Sequence, residues 1–181
     1  ASMQRAQTTG SLPDGPVYAG TCRHLDPTLA EQRACTEQCS WRLDVAKAMA
    51  RTGPLDWIDE RQGKQSVCAE KLSDAVIVPK DMPVAYHLAV TLDDARDGIS
   101  HVVRGEDIFA STDIHRLLQA LLDLPTPTYF HHRLLLDDSG AKLSKSRDSA
   151  SLSVLRKRGR DGYELVNQLR RDIFPVGISL S

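Results

Sequence analysis

At 181 residues and 41% apolar side chains, the chain is long enough and apolar enough to bury a core, which excludes wholesale disorder. Twenty-three basic against twenty-four acidic residues leave a formal charge of −1, so a contact with nucleic acid has to come from a local patch and not from bulk charge. No run approaches the roughly 20 apolar residues of a membrane span, and the start ASMQRAQTTG lacks the apolar core of a secretory signal. A soluble cytoplasmic protein with reduced thiols at Cys22, Cys35, Cys39 and Cys68 is expected.

From Ala1 to about Pro16 the chain is polar and rich in Gly, Ser and Pro without an apolar period, which predicts loop. The run 27–50 holds good helix formers behind Pro27, which suits an early helical position, and predicts one helix ended by Gly53-Pro54. LDWIDE and DAVIVPKD predict short strands separated by the turn-like RQGKQ, and AYHLAVTL, residues 85–92, predicts a buried strand closed by Asp93-Asp94. ISHVVRG predicts another strand, leading through Glu106-Asp107 into a helix over STDIHRLLQALLDL. Ser111 would cap that helix, and Ile114, Leu117, Leu118, Leu121 and Leu122 recur at helical spacing. Pro125 and Pro127 end it, and TYFHHRLLLDD predicts a strand running into the turn Asp138-Ser139-Gly140. Two helices, around 151–158 and 162–171, precede the tail FPVGISLS. Strand, helix and strand in succession predict a parallel crossover and an α/β fold class.

The chemistry concentrates in three places. Lys142-Leu143-Ser144-Lys145-Ser146 follows the Asp138–Gly140 turn and sets two lysines three residues apart, each a compact charge on a flexible stem suited to the oxygens of a triphosphate. Taken alone, such a cluster is usually a solvated surface. Tyr86, on the strand expected over 85–92, and Arg104, at the end of HVVRG, would share the crevice at the strand ends. A planar guanidinium there suits a carboxylate and a phenol can fix its orientation. The plain alternatives are a core aromatic and an arginine that neutralises Asp93, Asp94 or Glu106. The acidic pairs read as turn and helix caps, and His101, His131 and His132 as packed or exposed side chains without a catalytic part.

MPVAYHLAVTLDDARDGISHVVRGEDI followed by LLLDDSGAKLSKS resembles the glutamyl-tRNA synthetase family of class I aminoacyl-tRNA synthetases, and within it the glutamyl-Q branch, over roughly residues 18–155 in one colinear order. The resemblance implies the second half of a Rossmann-type catalytic core that forms glutamyl-adenylate from L-glutamate and ATP with Mg2+. The glutamyl group would then pass to the queuosine base of tRNA(Asp), or, in a broken glutamyl-tRNA synthetase, to tRNA(Glu). It assigns Lys145 to ATP and to the α-phosphate transition state, within the ATP-binding loop Lys142, Leu143, Ser144, Lys145 and Ser146, and it assigns Tyr86 and Arg104 to glutamate.

The family also has a zinc insertion with a Cys-x-Cys pair, a tyrosine and a further cysteine, of which only Tyr18 and Cys22 have counterparts here; zinc in such a site takes four ligands. Cys35 and Cys39, four apart on the expected helix, are the alternative source of the missing pair. The organisation expected is a zinc-insertion remnant over 1–26, a helical insertion with connecting strands over 27–73, and the second catalytic half over 74–181, in a monomer. No HIGH-type motif occurs, so the chain reads as a fragment or truncated frame of a longer enzyme, with a compact relative that has lost catalysis as the alternative. The rival class is a non-catalytic RNA-binding module using Arg156-Lys157-Arg158-Gly159-Arg160.

Overall fold

The computed structural model describes residues 11–12, 15–144 and 152–181, and the chain divides into two compact units, Ala1–His131 and His132–Ser181.

The first unit opens with a two-residue ladder, β1 (Ser11–Leu12) against β2 (Gly15–Pro16). Where a single helix was expected over 27–50 there are two. α1 (Pro27–Thr36) starts at Asp26, whose carboxylate accepts from the amides of Thr28 and Leu29, and it buries none of its residues. β3 (Trp41–Arg42) then interrupts to pair antiparallel with β6 (Val76–Val78), before α2 (Val45–Thr52) starts behind Asp44 and stops at Gly53, whose φ of +70° a side chain would resist.

The principal sheet has the order β5 (Gly63–Ser66), β4 (Asp56–Asp59), β8 (Thr128–His132), β7 (His101–Gly105). β4 pairs antiparallel with β5 and parallel with β8, so the sheet is mixed and its parallel pair is β4–β8, while β7, the strand before α4, is the other neighbour of β8. Gly63, Lys64 and Gln65, expected in a turn, belong to β5; the turn itself lies one step earlier.

The expected strand over 85–92 is instead α3 (Tyr86–Arg96), a helix that continues through Asp93 and Asp94. Its eight apolar-rich residues fit either element by periodicity alone. The polar but helix-compatible DDAR that follows extends the run to a length that a helix fills and a strand rarely reaches. α4 (Thr112–Leu121) follows β7 as expected, although Ser111 sits at its start in a helical conformation and its side chain makes no capping bond. The core lies where α2 meets α4: Val45 and Ala48 pack with Ile114, Leu117 and Leu118, with Leu88 of α3 against the same cluster. Asp113, buried in the first turn of α4, accepts from Trp57 Nε1 at 2.8 Å and from the amide of Cys68 at 3.2 Å, tying helix, sheet and loop together.

In the second unit, β9 (Leu135–Asp137) pairs antiparallel with β10 (Ile178–Leu180), so the tail ends as a strand. Between them lie α5 (Leu152–Lys157) and α6 (Gly162–Leu169), the latter capped by Asp161. The sequence TYFHHRLLLDD, expected as one strand, is divided between β8 and β9 at Arg133-Leu134.

Candidate active site

Period-two alternation along β4 and β8 turns Trp57 and Asp59, and Tyr129 and His131, inward. His131 has no exposure and Asp59 almost none, and the two are bonded: His131 Nδ1 donates to Asp59 Oδ2 at 2.7 Å and the His131 amide to the same oxygen at 3.1 Å. The other oxygen, Oδ1, accepts the amides of Arg61 and Gln62 at 2.9 Å each and shapes the turn into β5. Burial alone would push the Asp59 carboxyl up. The bond from the His131 ring and those from the amides of Gln62, Arg61 and His131 outweigh it and hold the carboxyl below its ordinary range. Arg61 reinforces the arrangement, donating to the His131 carbonyl at 2.7 Å and standing 3.5 Å from Glu106 Oε2.

Arg104 enters from β7. Its Nε donates to His131 Nε2 at 3.0 Å, Nη1 to His115 Nδ1 at 3.1 Å, and Nη2 to Thr112 Oγ1 at 2.6 Å, while Cζ lies 5.2 Å from the centroid of the Tyr129 ring. An arginine N–H can only donate, so His131 Nε2 and His115 Nδ1 must both present lone pairs. That fixes the tautomers: His131 carries its proton on Nδ1, toward Asp59, and His115 carries its own on Nε2, toward His87 Nδ1 at 3.0 Å. Burial, aided by the Arg104 charge and the His87 and His131 rings, pulls the buried His115 imidazole down to about 2.

Tyr86 stands at the first position of α3, 51% exposed, with its ring centroid 6.0 Å from that of His115. The two residues expected to meet glutamate therefore flank one imidazole, although Tyr86 arrives on a helix and not on a strand. Arg104 is not neutralised by Asp93 or Glu106. Among the described residues its direct partners are two imidazoles and a hydroxyl, and Asp94 feels its charge without forming an ion pair. Of the five N–H groups of a guanidinium, three are engaged, leaving one on each terminal nitrogen.

The loop residues belong to the second unit. Asp137 Oδ1 accepts from Ser139 and Ala141, Gly140 takes φ +75°, and Lys142 bridges Leu136 while the Leu143 amide donates to Leu135, so Lys142-Leu143-Ser144 leave a tight hairpin. Lys145 and Ser146 lie outside the described residues.

The residues present do not fit a zinc ion. The Tyr18 hydroxyl accepts from the Cys22 amide at 2.8 Å and its ring lies under Arg42, 4.5 Å from Cζ to centroid. Cys39 falls beyond the end of α1, so it does not share a helix face with Cys35, and no cluster of three metal-binding side chains occurs among the described residues. All four cysteines are free thiols.

Sequence reasoning does not single out Asp59, Thr112 or His115, and it reads His131 only as a packed or exposed side chain. The available signals were slight: His115 lies one residue from Ile114 and two from Leu117 in an apolar helical stripe, and His131 is two from Tyr129 in an alternating strand.

With this geometry in hand, the chain can be set beside known proteins. A profile of the catalytic domain of class I tRNA synthetases (E and Q) matches residues 2–178. The chain belongs to that family. Among similar proteins, the glutamyl-Q tRNA(Asp) synthetase of Rhodobacter capsulatus is 39% identical over 152 residues, 81% of this chain and 54% of that protein. The glutamyl-Q tRNA(Asp) synthetase of Leptothrix cholodnii is 40% identical over 139 residues, 76% of this chain and 45% of that protein. A glutamate–tRNA ligase of Methylococcus capsulatus is 36% identical over 156 residues, 86% of this chain and 33% of that protein. The chain thus spans about half the length of the glutamyl-Q synthetases it matches. The crystal structure of the glutamate–tRNA synthetase from Elizabethkingia anophelis superposes with a TM-score of 0.58 at 28% identity, covering 72% of this chain and 27% of that one. No helix among the described residues is long and apolar enough to cross a membrane.

Proposed function

We propose that the protein carrying this chain is a glutamate-activating ligase of the glutamyl-Q type, forming glutamyl-adenylate and pyrophosphate from L-glutamate and Mg2+-ATP and passing the glutamyl group to the queuosine base of tRNA(Asp) as the acyl–phosphate bond breaks and AMP leaves. The observation that carries this reading is the buried mounting of Arg104, whose charge meets no carboxylate among its direct partners and whose terminal nitrogens each keep an N–H for one. In the reaction a carboxylate oxygen of glutamate bonds to the α-phosphorus of ATP as the bond to the β-phosphate oxygen breaks and pyrophosphate leaves. A carboxylate locked in a guanidinium fork is a poor nucleophile, so Arg104 holds the side-chain carboxylate and leaves the α-carboxylate to react. Tyr86 orients the amino acid from α3. Lys145, with Lys142, Leu143, Ser144 and Ser146, follows the triphosphate and offsets charge at the α-phosphate. Since the nucleophile is already ionised, no general base is required.

The glutamyl-Q reading over a tRNA(Glu)-charging enzyme is supported by the upper identities alone: glutamyl-Q synthetases range over 32–40% and glutamate–tRNA ligases over 34–36%, and the tRNA assay decides between them. The test is glutamate-dependent ATP–pyrophosphate exchange without tRNA, followed by transfer of labelled glutamate to purified tRNA(Asp) and tRNA(Glu). Exchange that vanishes in Lys145→Ala and transfer confined to tRNA(Asp) are expected. Transfer to tRNA(Glu) would move the protein to the other branch. Salt-sensitive tRNA binding without exchange would point to an RNA-binding module acting through Arg156–Arg160.

A further inference from the structure

An arginine inside a protein is ordinarily fixed by a carboxylate, which also cancels its charge. Arg104 is fixed by neutral groups alone among its direct partners: His131 Nε2, His115 Nδ1 and Thr112 Oγ1. Two of these are imidazoles, and each is locked from behind. Asp59 receives the Nδ1 proton of His131, and His87 Nδ1 receives the Nε2 proton of His115. His115 is the member that joins Arg104 to α3, because it touches the guanidinium on one side and lies against the rings of Tyr86 and His87 on the other. Were it protonated, an N–H on Nδ1 would face an N–H of Arg104, and two positive charges would stand about 3 Å apart.

We infer that His115 is a positioning residue for Arg104, a neutral acceptor that sets the direction of the guanidinium while leaving its positive charge available to the carboxylate of the substrate. The inference rests on the reading that Arg104 contacts glutamate, and it adds the reason for an imidazole at this position. A carboxylate here would hold Arg104 as firmly and neutralise it. An apolar side chain would keep the charge and lose the aim.

Two measurements test it. In the purified chain, 15N shifts of the histidine rings are expected to show His115 as the neutral Nε2–H tautomer from pH 8 to 5; an imidazolium or an Nδ1–H tautomer at pH 7 overturns the inference whatever the activity. In the protein that carries this chain, the KM for glutamate in pyrophosphate exchange is expected to rise about tenfold or more in both His115→Glu and His115→Leu, with the KM for ATP unmoved. His115→Asn, whose amide oxygen takes the place of Nδ1, is expected to recover most of that loss. Should His115→Leu fail to fold, the Glu and Asn variants still separate charge from shape. If Arg104→Gln raises the glutamate KM and His115→Glu does not, the role of His115 is refuted and the glutamate reading stands. If Arg104→Gln leaves the KM unchanged, the glutamate reading falls and takes the inference with it.

Discussion

Replacing Asp59 by Asn is the sharpest single perturbation of this structure, because it keeps the shape of the side chain and removes one of its two acceptor edges. The carboxylate accepts four bonds, two per oxygen: from the amides of Arg61 and Gln62 on one side, and from the amide and Nδ1 of His131 on the other. An amide has one acceptor edge, so either orientation turns its NH2 toward two N–H donors. The milder choice points the oxygen at fully buried His131 and the NH2 at the exposed turn, where water takes over part of the lost bonding. Two bonds to a charged acceptor are then lost, each worth about 1.5–3 kcal/mol, and solvent recovery brings the net cost to about 2–4 kcal/mol. For a chain of this size that lowers Tm by roughly 10 °C. Urea melts followed by the fluorescence of Trp57, 3% exposed and 5.9 Å from the His131 ring, read it directly in a Trp41→Phe background, Trp41 being 56% exposed. A loss under about 1 kcal/mol would refute the claim that this carboxylate organises the sheet.

His115 binds a proton near pH 6.5 when unfolded and only near 2 when folded, so its contribution to stability is complete above 6.5 and is lost as pH falls toward 2. The slope attributable to it below 6.5 is about 1.4 kcal/mol per pH unit, with Arg104 on β7, His131 on β8, and His87 and Tyr86 on α3 facing the ring. His115→Asn should flatten the urea midpoint between pH 6.5 and 5 relative to the unsubstituted chain; parallel curves would contradict this. Leu117→Ala removes a side chain with no exposure from the α2–α4 core and should cost about 2–5 kcal/mol in the same melts. Gly177 has φ +83°, and an added Cβ would stand 2.9 Å from Asp138 Oδ2, so Gly177→Ala should loosen the β9–β10 ladder, read as faster amide exchange at Ser181, which donates to the Leu134 carbonyl, and at Ser179, the other ladder amide of β10 by antiparallel alternation.

Local chemistry made much of this molecule legible from sequence. β4, β6, β7 and α4 follow from runs of apolar and β-branched residues or a clean helical stripe, and the Asp138–Gly140 turn from its residues. α3 was misassigned because YHLAVTL holds aromatic and β-branched residues that suit a strand while filling most positions, so neither period shows. The break between α1 and α2 is imposed by the pairing of β3 with β6, a partner more than thirty positions away that no local pattern announces. Tyr86 and Arg104 were accessible only through family resemblance. The groups that hold Arg104 were not accessible at all, since Asp59, Thr112, His115 and His131 acquire meaning from a parallel strand pairing and a helix laid across it.

The bond between Asp59 and His131 spans 72 positions, and α2's core partners, β6, α3, β7 and α4 are all encoded at or before the second of them. Hairpins and helices close over a few residues and form early, whereas this contact must wait until a long loop has been drawn shut. Two of the three bonds that hold Arg104, to Thr112 and His115, close over short stretches of chain, and the third, to His131, completes the mounting only after that closure. On the reading that Arg104 takes a carboxylate, its grip on an anionic ligand would be complete only once the β4–β8 seam has closed. Binding of such a ligand would then report the closing of the sheet, separable in time from the circular dichroism signal of the helices.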